Sequence, residues 1–220
     1  GSYIFQLLVV DDKGATGVDT MSVLVKPAAV GQQTLTLQPA NNPNEWTLAL
    51  ETNTNFTSIA QADLLAASWT RNGNPFTVRG LFKFDLSAIS SSATIVSANL
   101  YLYSYPSPTL NGNLIDANYG ANNSMFVQQV TANWSPSTLT WSNQPAGSTT
   151  NQVSVPTTAQ SQLDVNLDVT AMVSSMVSGN ANYGFLMKLQ NEVTYTSRIF
   201  VSSHNTTYTT KFPKLVVVYK

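Results

Sequence analysis

Cysteine is absent from these 220 residues, which excludes disulfides and every thiolate metal site, zinc fingers included. Histidine occurs once, at His204, inside a Ser-Ser-His-Asn-Thr-Thr stretch that reads as a loop. A Ser-His-Asp relay would have to be built on that single ring, so His204 is a poor starting point for catalysis. Charge is scarce too: Asp, Glu, Lys and Arg together are 10% of the chain and sum to −1, against a usual quarter or so. The basic footprint of a nucleic-acid binder is missing, and nucleic acid is not an expected partner. Apolar runs are strand-sized, far short of the ~20 residues of a spanning helix, so membrane insertion is not expected either. No motif repeats at a fixed period, which sets aside solenoids and propellers.

What is present is a β-forming alphabet. Apolar residues are 43% of the chain, enough for a core and too many for disorder. Ser, Thr and Asn together make up roughly a third of it, well above the average for soluble domains. A weakly charged surface of hydroxyls and amides is common in extracellular proteins that meet sugars or build surface arrays, and a secreted or cell-surface location is expected. Strand and turn signals follow one another at short intervals from Thr34 onward, the mark of an all-β sandwich or jelly roll. Asn41 to Asn44 and Arg71-Asn72-Gly73-Asn74-Pro75 are turn clusters,.

Two distant regions carry the clearest pattern. In RGLFKFDLSAI (Arg79 to Ile89), Phe82, Phe84 and Leu86 share one face while Arg79, Leu81 and Lys83 take the other,. The next strand sets Ala98, Leu100 and Leu102 on one side and Tyr101, Tyr103 and Tyr105 on the opposite side. NYGFLMKL (Asn182 to Leu189) and PKLVVVY (Pro213 to Tyr219) complete the pattern. One short helix is expected: Asp168 or Thr170 caps it, Met172, Val173, Met176 and Val177 fall at helical spacing, and Gly179 stops it,. Ahead of all this, Tyr3 to Val10 and Thr20 to Val25 alternate around the turn Asp11-Asp12-Lys13-Gly14, which predicts a hairpin,. A lone hairpin is marginal in water, so it must dock, pair with another chain or fray.

From about Thr34 to Lys220 the sequence resembles the DNRLRE domain, a family of extracellular modules grouped with carbohydrate-binding modules. The resemblance rests on RGLFKFDLSAI and ATIVSANLYLY (Ala93 to Tyr103), the tryptophan pair NWSPSTLTWSNQP (Asn133 to Pro145), LDVTAMV (Leu167 to Val173), GNANYGFLMKL (Gly179 to Leu189), Ser197-Arg198 and PKLVVVY, in that order. It implies a β-jelly roll attached to polysaccharide-degrading or adhesive proteins. Residues 1–27 look like the last two strands of a PKD-type immunoglobulin-like domain, a familiar neighbour of such modules. The expected organisation is therefore a hairpin remnant over 1–27, a linker over 28–33 and a jelly-roll domain over 34–220, with neighbouring domains of a longer chain, or other subunits, as partners.

The expected function is non-catalytic binding of a polysaccharide. Sugar rings carry apolar C–H faces that stack on aromatic rings, so Tyr101, Tyr103 and Tyr105 form a candidate ladder. If Arg79, Lys83 and Lys188 flank it, the forked guanidinium favours acidic polymers. Trp46 and Trp69 read as loop aromatics, a second kind of contact surface. Trp134 and Trp141 read as core. No cofactor is expected; a structural Ca²⁺ is compatible with a jelly roll, with Asp63, Asp116, Asp164 and Glu192 as loose donors, but no DxDxDG-type loop locates one. The alternative is a structural one: the hairpin donates a strand to another subunit of a fibre or adhesin, since open edges invite pairing.

Overall fold

A computed structural model of the chain describes residues 2–24, 31–51, 54–58, 62–108, 116–179 and 181–220, with backbone alone at 24, 46–51 and 54–58. The chain divides into two compact units, Gly1–Gln32 and Gln33–Lys220. The first is the expected hairpin: β1 (Ser2–Val10) and β2 (Thr16–Leu24) pair antiparallel, with Phe5 opposite Met21 and Leu8 opposite Val18. Its turn is held by the Asp11 carboxylate, which accepts the N–H groups of Lys13 and Ala15 at 2.9 and 2.8 Å. Every residue of β1 is exposed, Ile4 at 73%. Half of the expected linker, residues 28–30, lies outside the described residues.

The second unit is all-β apart from one helix. Its early strands are β3 (Gln33–Leu37), β4 (Glu45–Glu51), β5 (Thr54–Ser58), β6 (Asp63–Arg71), β7 (Asn74–Phe82) and β8 (Ile95–Leu102). Then come β9 (Asn118–Tyr119), β10 (Met125–Gln129), β11 (Val153–Val155), β12 (Val165–Asp168) and α1 (Thr170–Ser178). The strands β13 (Phe185–Leu189), β14 (Thr196–Val201) and β15 (Lys214–Tyr219) complete it. Four strands form one sheet in the order β12-β8-β15-β3. The other sheet runs β11-β10-β13-β7-β6-β14-β9, with β4 on β7 and β5 on β4. The β-sandwich or jelly roll read from the sequence is the observed architecture.

Alternation decides what each strand buries. Ala98, Leu100 and Leu102 of β8 and Leu215 and Val217 of β15 meet Phe82, Phe185, Met187, Leu64 and Phe200 of the larger sheet in one core. Burying each such side chain contributes about 1.5–3 kcal/mol. Gly80 of β7 is part of this fit: a Cβ there would stand 2.7 Å from Leu64 Cδ1, closer than packed carbons approach. On their other faces the strands of the larger sheet carry two smaller apolar clusters. One joins Leu65, Ala67, Ile199 and Val201, and the other Leu81, Leu186, Val130 and Leu139.

Two local expectations shift. The helix buries Met172, Val173, Met176 and Val177 as its spacing predicts, but its N-cap is Val169, which makes no side-chain cap bond. The Thr170 hydroxyl accepts the Ala98 N–H at 2.9 Å and so ties the helix start to β8, while Asp168 Oδ1 accepts the Thr170 N–H, the first of the helix, at 2.9 Å. Trp46 and Trp69, read as loop aromatics, stand on strands β4 and β6.

Candidate functional site

Beyond Leu102 the chain leaves the four-stranded sheet. Ser104 bridges to Phe200, Val201 donates its N–H to Tyr103 O at 2.8 Å, and Tyr105 donates its own to Ile199 O at 3.1 Å. This turn of the corner divides the tyrosine ladder. Tyr101 and Tyr103 stay half-buried, whereas Tyr105 is 8% exposed, packed edge-on against Tyr208 at 5.6 Å. Burial holds the Tyr105 phenol above its ordinary pKa. Tyr105 is thus part of the wall and offers no ring to solvent.

The cation beside the ladder is Lys214, which the sequence reading missed. It pairs with Tyr101 across β15 and β8, and Asn166 of β12 pairs with Tyr101 on the other side. Lys214 Nζ stands 4.4 Å from the Tyr101 ring centroid and 5.8 Å from that of Tyr103, within cation–π range. The outward face of the four-stranded sheet therefore presents a row of amide, phenol and ammonium.

The cations expected there are elsewhere. Arg79 lies on β7, in the larger sheet, and is committed to its neighbours. Its Nε and Nη2 donate to Glu192 Oε1 and Oε2 at 2.7 and 2.9 Å, and Nη1 donates to Gln144 Oε1 at 3.1 Å. Its guanidinium carbon sits 4.4 Å over the Trp141 ring. The arginine clamps three segments together, and its fork is filled by a protein carboxylate. Lys83 follows β7, and Lys188 stands on β13 opposite Phe126; both are half-buried and neither adjoins β8. Alternation shows which side of a strand a residue takes but not which sheet holds the strand, and that is why the patch separates.

Trp134 and Trp141 pack partly buried against Leu81, Val130, Leu139 and Leu186, and Trp134 Nε1 donates to Tyr183 O at 2.8 Å. The side chain of Trp46 lies outside the described residues. Trp69 belongs to a cluster that no local sequence signal announces. Its ring centroid is 5.2 Å from Tyr119 and 5.2 Å from Tyr195, with interplanar angles of 69° and 86°. Tyr119 is 40% and Tyr195 52% exposed. Thr196 opposes Ser68 on β14 and β6, which sets Tyr195 level with Trp69, and Phe76 opposes Trp69 on β7. Tyr195 holds φ at +66°, a conformation costing an ordinary residue about 1–2 kcal/mol. Gly120 at φ +94° lets the neighbouring turn pass close beneath, since a Cβ there would meet Tyr195 O and Thr196 Oγ1 at 2.8 Å.

Ionisable groups are deployed structurally. Glu45 is 4% exposed and accepts the Ser203 N–H at 2.9 Å. Burial raises its pKa to about 7 against hydrogen bonds from Ser202 and Ser203 that oppose the shift. His204 is half-buried, with its pKa pushed down by desolvation, and its backbone N–H donates to Ser202 Oγ at 2.9 Å. A cleft of about 470 Å³ between residues 85–91 and the end of α1 has Asp85 as the one ionisable group in its lining. Of the loose calcium donors, Glu192 binds Arg79 and Asp164 Oδ1 accepts the Ser104 N–H at 2.8 Å. Among the described residues, no three of His, Asp and Glu form a group that could hold a metal ion.

Among the described residues, no helix is long and apolar enough to cross a membrane. No curated protein matches the chain. Residues 46–219 match the profile of carbohydrate-binding module family 96, a span that covers the sandwich from β4 through β15 with both aromatic surfaces. The chain belongs to carbohydrate-binding module family 96.

Proposed function

We propose that this chain is a non-catalytic, extracellular module that binds a polysaccharide and keeps an attached protein close to it. The observation that carries the reading is the row of Tyr101, Tyr103 and Lys214, with Tyr101 and Lys214 paired on the outward face of the four-stranded sheet and Tyr103 just past its end, in a chain of a carbohydrate-binding family. Phenol rings offer apolar faces to sugar C–H groups, the neighbouring Asn166 amide suits sugar hydroxyls, and the ammonium of Lys214 favours polymers that carry carboxylates. The preference for acidic chains now rests on Lys214, because Arg79 is neutralised by Glu192. A non-catalytic role accords with the structural engagement of Glu45, His204 and Glu192. The weakly charged, hydroxyl-rich composition supports a secreted or surface location.

Affinity electrophoresis on gels containing a polyuronate or a neutral glucan tests this reading. Retardation on the polyuronate is expected, lost in Tyr101→Ala/Tyr103→Ala and weakened in Lys214→Gln. A wild-type chain that migrates freely on every polymer would sink the proposal.

A second, structural reading draws on β1 and β2, whose cross-strand pairs Phe5–Met21 and Leu8–Val18 are all exposed. Two bare apolar faces suit a hairpin that completes a PKD-like layer supplied by further chain or by another subunit. Light scattering on the chain with and without residues 1–24 separates the cases: a fibre subunit assembles only when the hairpin is present.

A further inference from the structure

We infer that Trp69, Tyr195 and Tyr119 form a sugar-binding subsite separate from the Tyr101 row, and that it accepts single hydrated glycan chains in preference to crystalline polymer surfaces. This rests on the carbohydrate-binding reading above. The cluster lies at the open end of an apolar strip on the larger sheet. Along β6 that strip runs Leu65, Ala67, Trp69, and along β14 it runs Val201, Ile199, Ser197 toward Tyr195. At the Leu65 end, Tyr105, Phe212 and Tyr208 cover it. At the Trp69 end the rings of Tyr119 and Tyr195 remain open to solvent.

Three features make this end a built surface. Tyr195 is kept in a left-handed conformation that favours glycine,, and the gain from that strain is a ring set edge-on to Trp69. Gly120 permits the close approach of the β9 turn that brings Tyr119 to the other contact. The three aromatics come from residues 69, 119 and 195, on two strands and a connecting loop, so the cluster is a product of the fold and not of a local run.

Geometry then selects the form of ligand. Adhesion to a flat crystalline face needs several coplanar rings. Here the tyrosine rings stand at 69° and 86° to the indole, which makes an angular notch. A notch of this kind admits the edge and C–H face of one pyranose in a separated chain. The spacing also matters: Thr196, next to Tyr195, and Val201 are the two ends of β14, five residue steps apart and about 16 Å at the rise of a strand,. Val201 is bonded to Tyr103, so the two aromatic surfaces are far enough apart to engage separate stretches of one long polymer.

The test uses the full chain and three variants, Trp69→Ala, Tyr195→Gly and Tyr101→Ala/Tyr103→Ala, against soluble hydroxyethyl cellulose, soluble polygalacturonate and crystalline cellulose powder. Wild type is expected to be retarded by a soluble polymer and left in the supernatant by the powder. Trp69→Ala and Tyr195→Gly are each expected to weaken soluble binding about tenfold. Tyr195→Gly also relieves the positive φ, so its Tm stays level or rises while binding falls, a combination that a merely structural tyrosine does not produce. Full retention by both variants while wild type binds overturns the subsite and leaves the carbohydrate reading standing. Co-sedimentation of wild type with the powder overturns the ligand form. Failure of wild type to bind any polymer removes both the subsite and the reading beneath it.

Discussion

The hairpin and the sandwich are written in the same alphabet, yet they treat it differently. In β1, Phe5, Leu7 and Val9 alternate with Ile4, Leu8 and Val10, and every one of these side chains is exposed. In β8 the same kind of alternation leaves Ala98, Leu100 and Leu102 with no exposure at all. Both segments pair antiparallel with well-defined register. Period-two patterning makes a strand; burial needs a second layer, which the sandwich supplies to β8. The difference teaches that ladder hydrogen bonds and hydrophobic stabilisation are separable, and that most of the stability of this protein resides in residues 33–220.

The comparison breaks most readily through paired truncations. Phe82→Ala, at a fully buried ring stacked 5.4 Å from Phe185, is expected to cost about 3–5 kcal/mol in urea unfolding. Phe5→Ala in the hairpin is expected to cost under about 0.5 kcal/mol. Equal losses would mean that the hairpin is covered in solution.

Next in size is an effect of pH on the sandwich alone. Burial disfavours the Glu45 carboxylate and raises its pKa from 4.5 to about 7. The folded state therefore binds more protons than the unfolded chain between those values, and stability falls as pH rises from about 4.5 through 7. The full shift is worth about 3 kcal/mol as an upper figure. Glu45→Gln is expected to flatten that slope in urea midpoints measured across the window, and an unchanged slope would assign it to other groups.

A smaller effect sharpens the contrast within the sandwich surface. Arg79→Lys removes the fork on Glu192 and the stacking on Trp141, which are partly exposed. We expect a loss of about 1 kcal/mol, diminished at high salt, with polysaccharide affinity unchanged; a loss of affinity would return Arg79 to the binding surface. The smallest effect is the removal of residues 1–24, expected to move the Tm of the sandwich by no more than about 2 °C.

Much of the fold was legible because its strands alternate strongly: Phe82 and Phe84 on one face with Arg79 and Leu81 on the other, Ala98, Leu100 and Leu102 inward, and the helix with its four buried apolar residues. The candidate sites were legible only in pieces. The third rung of the tyrosine ladder was lost because the strand changes sheets at Ser104, a bend that alternation does not encode. Lys214 sits beside Tyr101 through a register between strands over a hundred residues apart. Trp69, Tyr119 and Tyr195 carry no shared motif, so only the three-dimensional path brings them together.

The position of β15 has a kinetic consequence. It lies between β8 and β3, bonded to both, so the last strand of the unit to be synthesised is an interior strand of its sheet. Gln38 likewise donates to Phe212 O at 2.8 Å across 174 residues of chain. Until residues 214–219 emerge, β3 has no partner and β8 keeps an open edge, the situation in which strands mispair or aggregate. Contacts this distant in sequence also make folding slow. A growing chain must therefore wait, unassembled, for its closing strand, and a truncation of a few residues within β15 should do what removal of the whole hairpin does not: prevent the sandwich from forming.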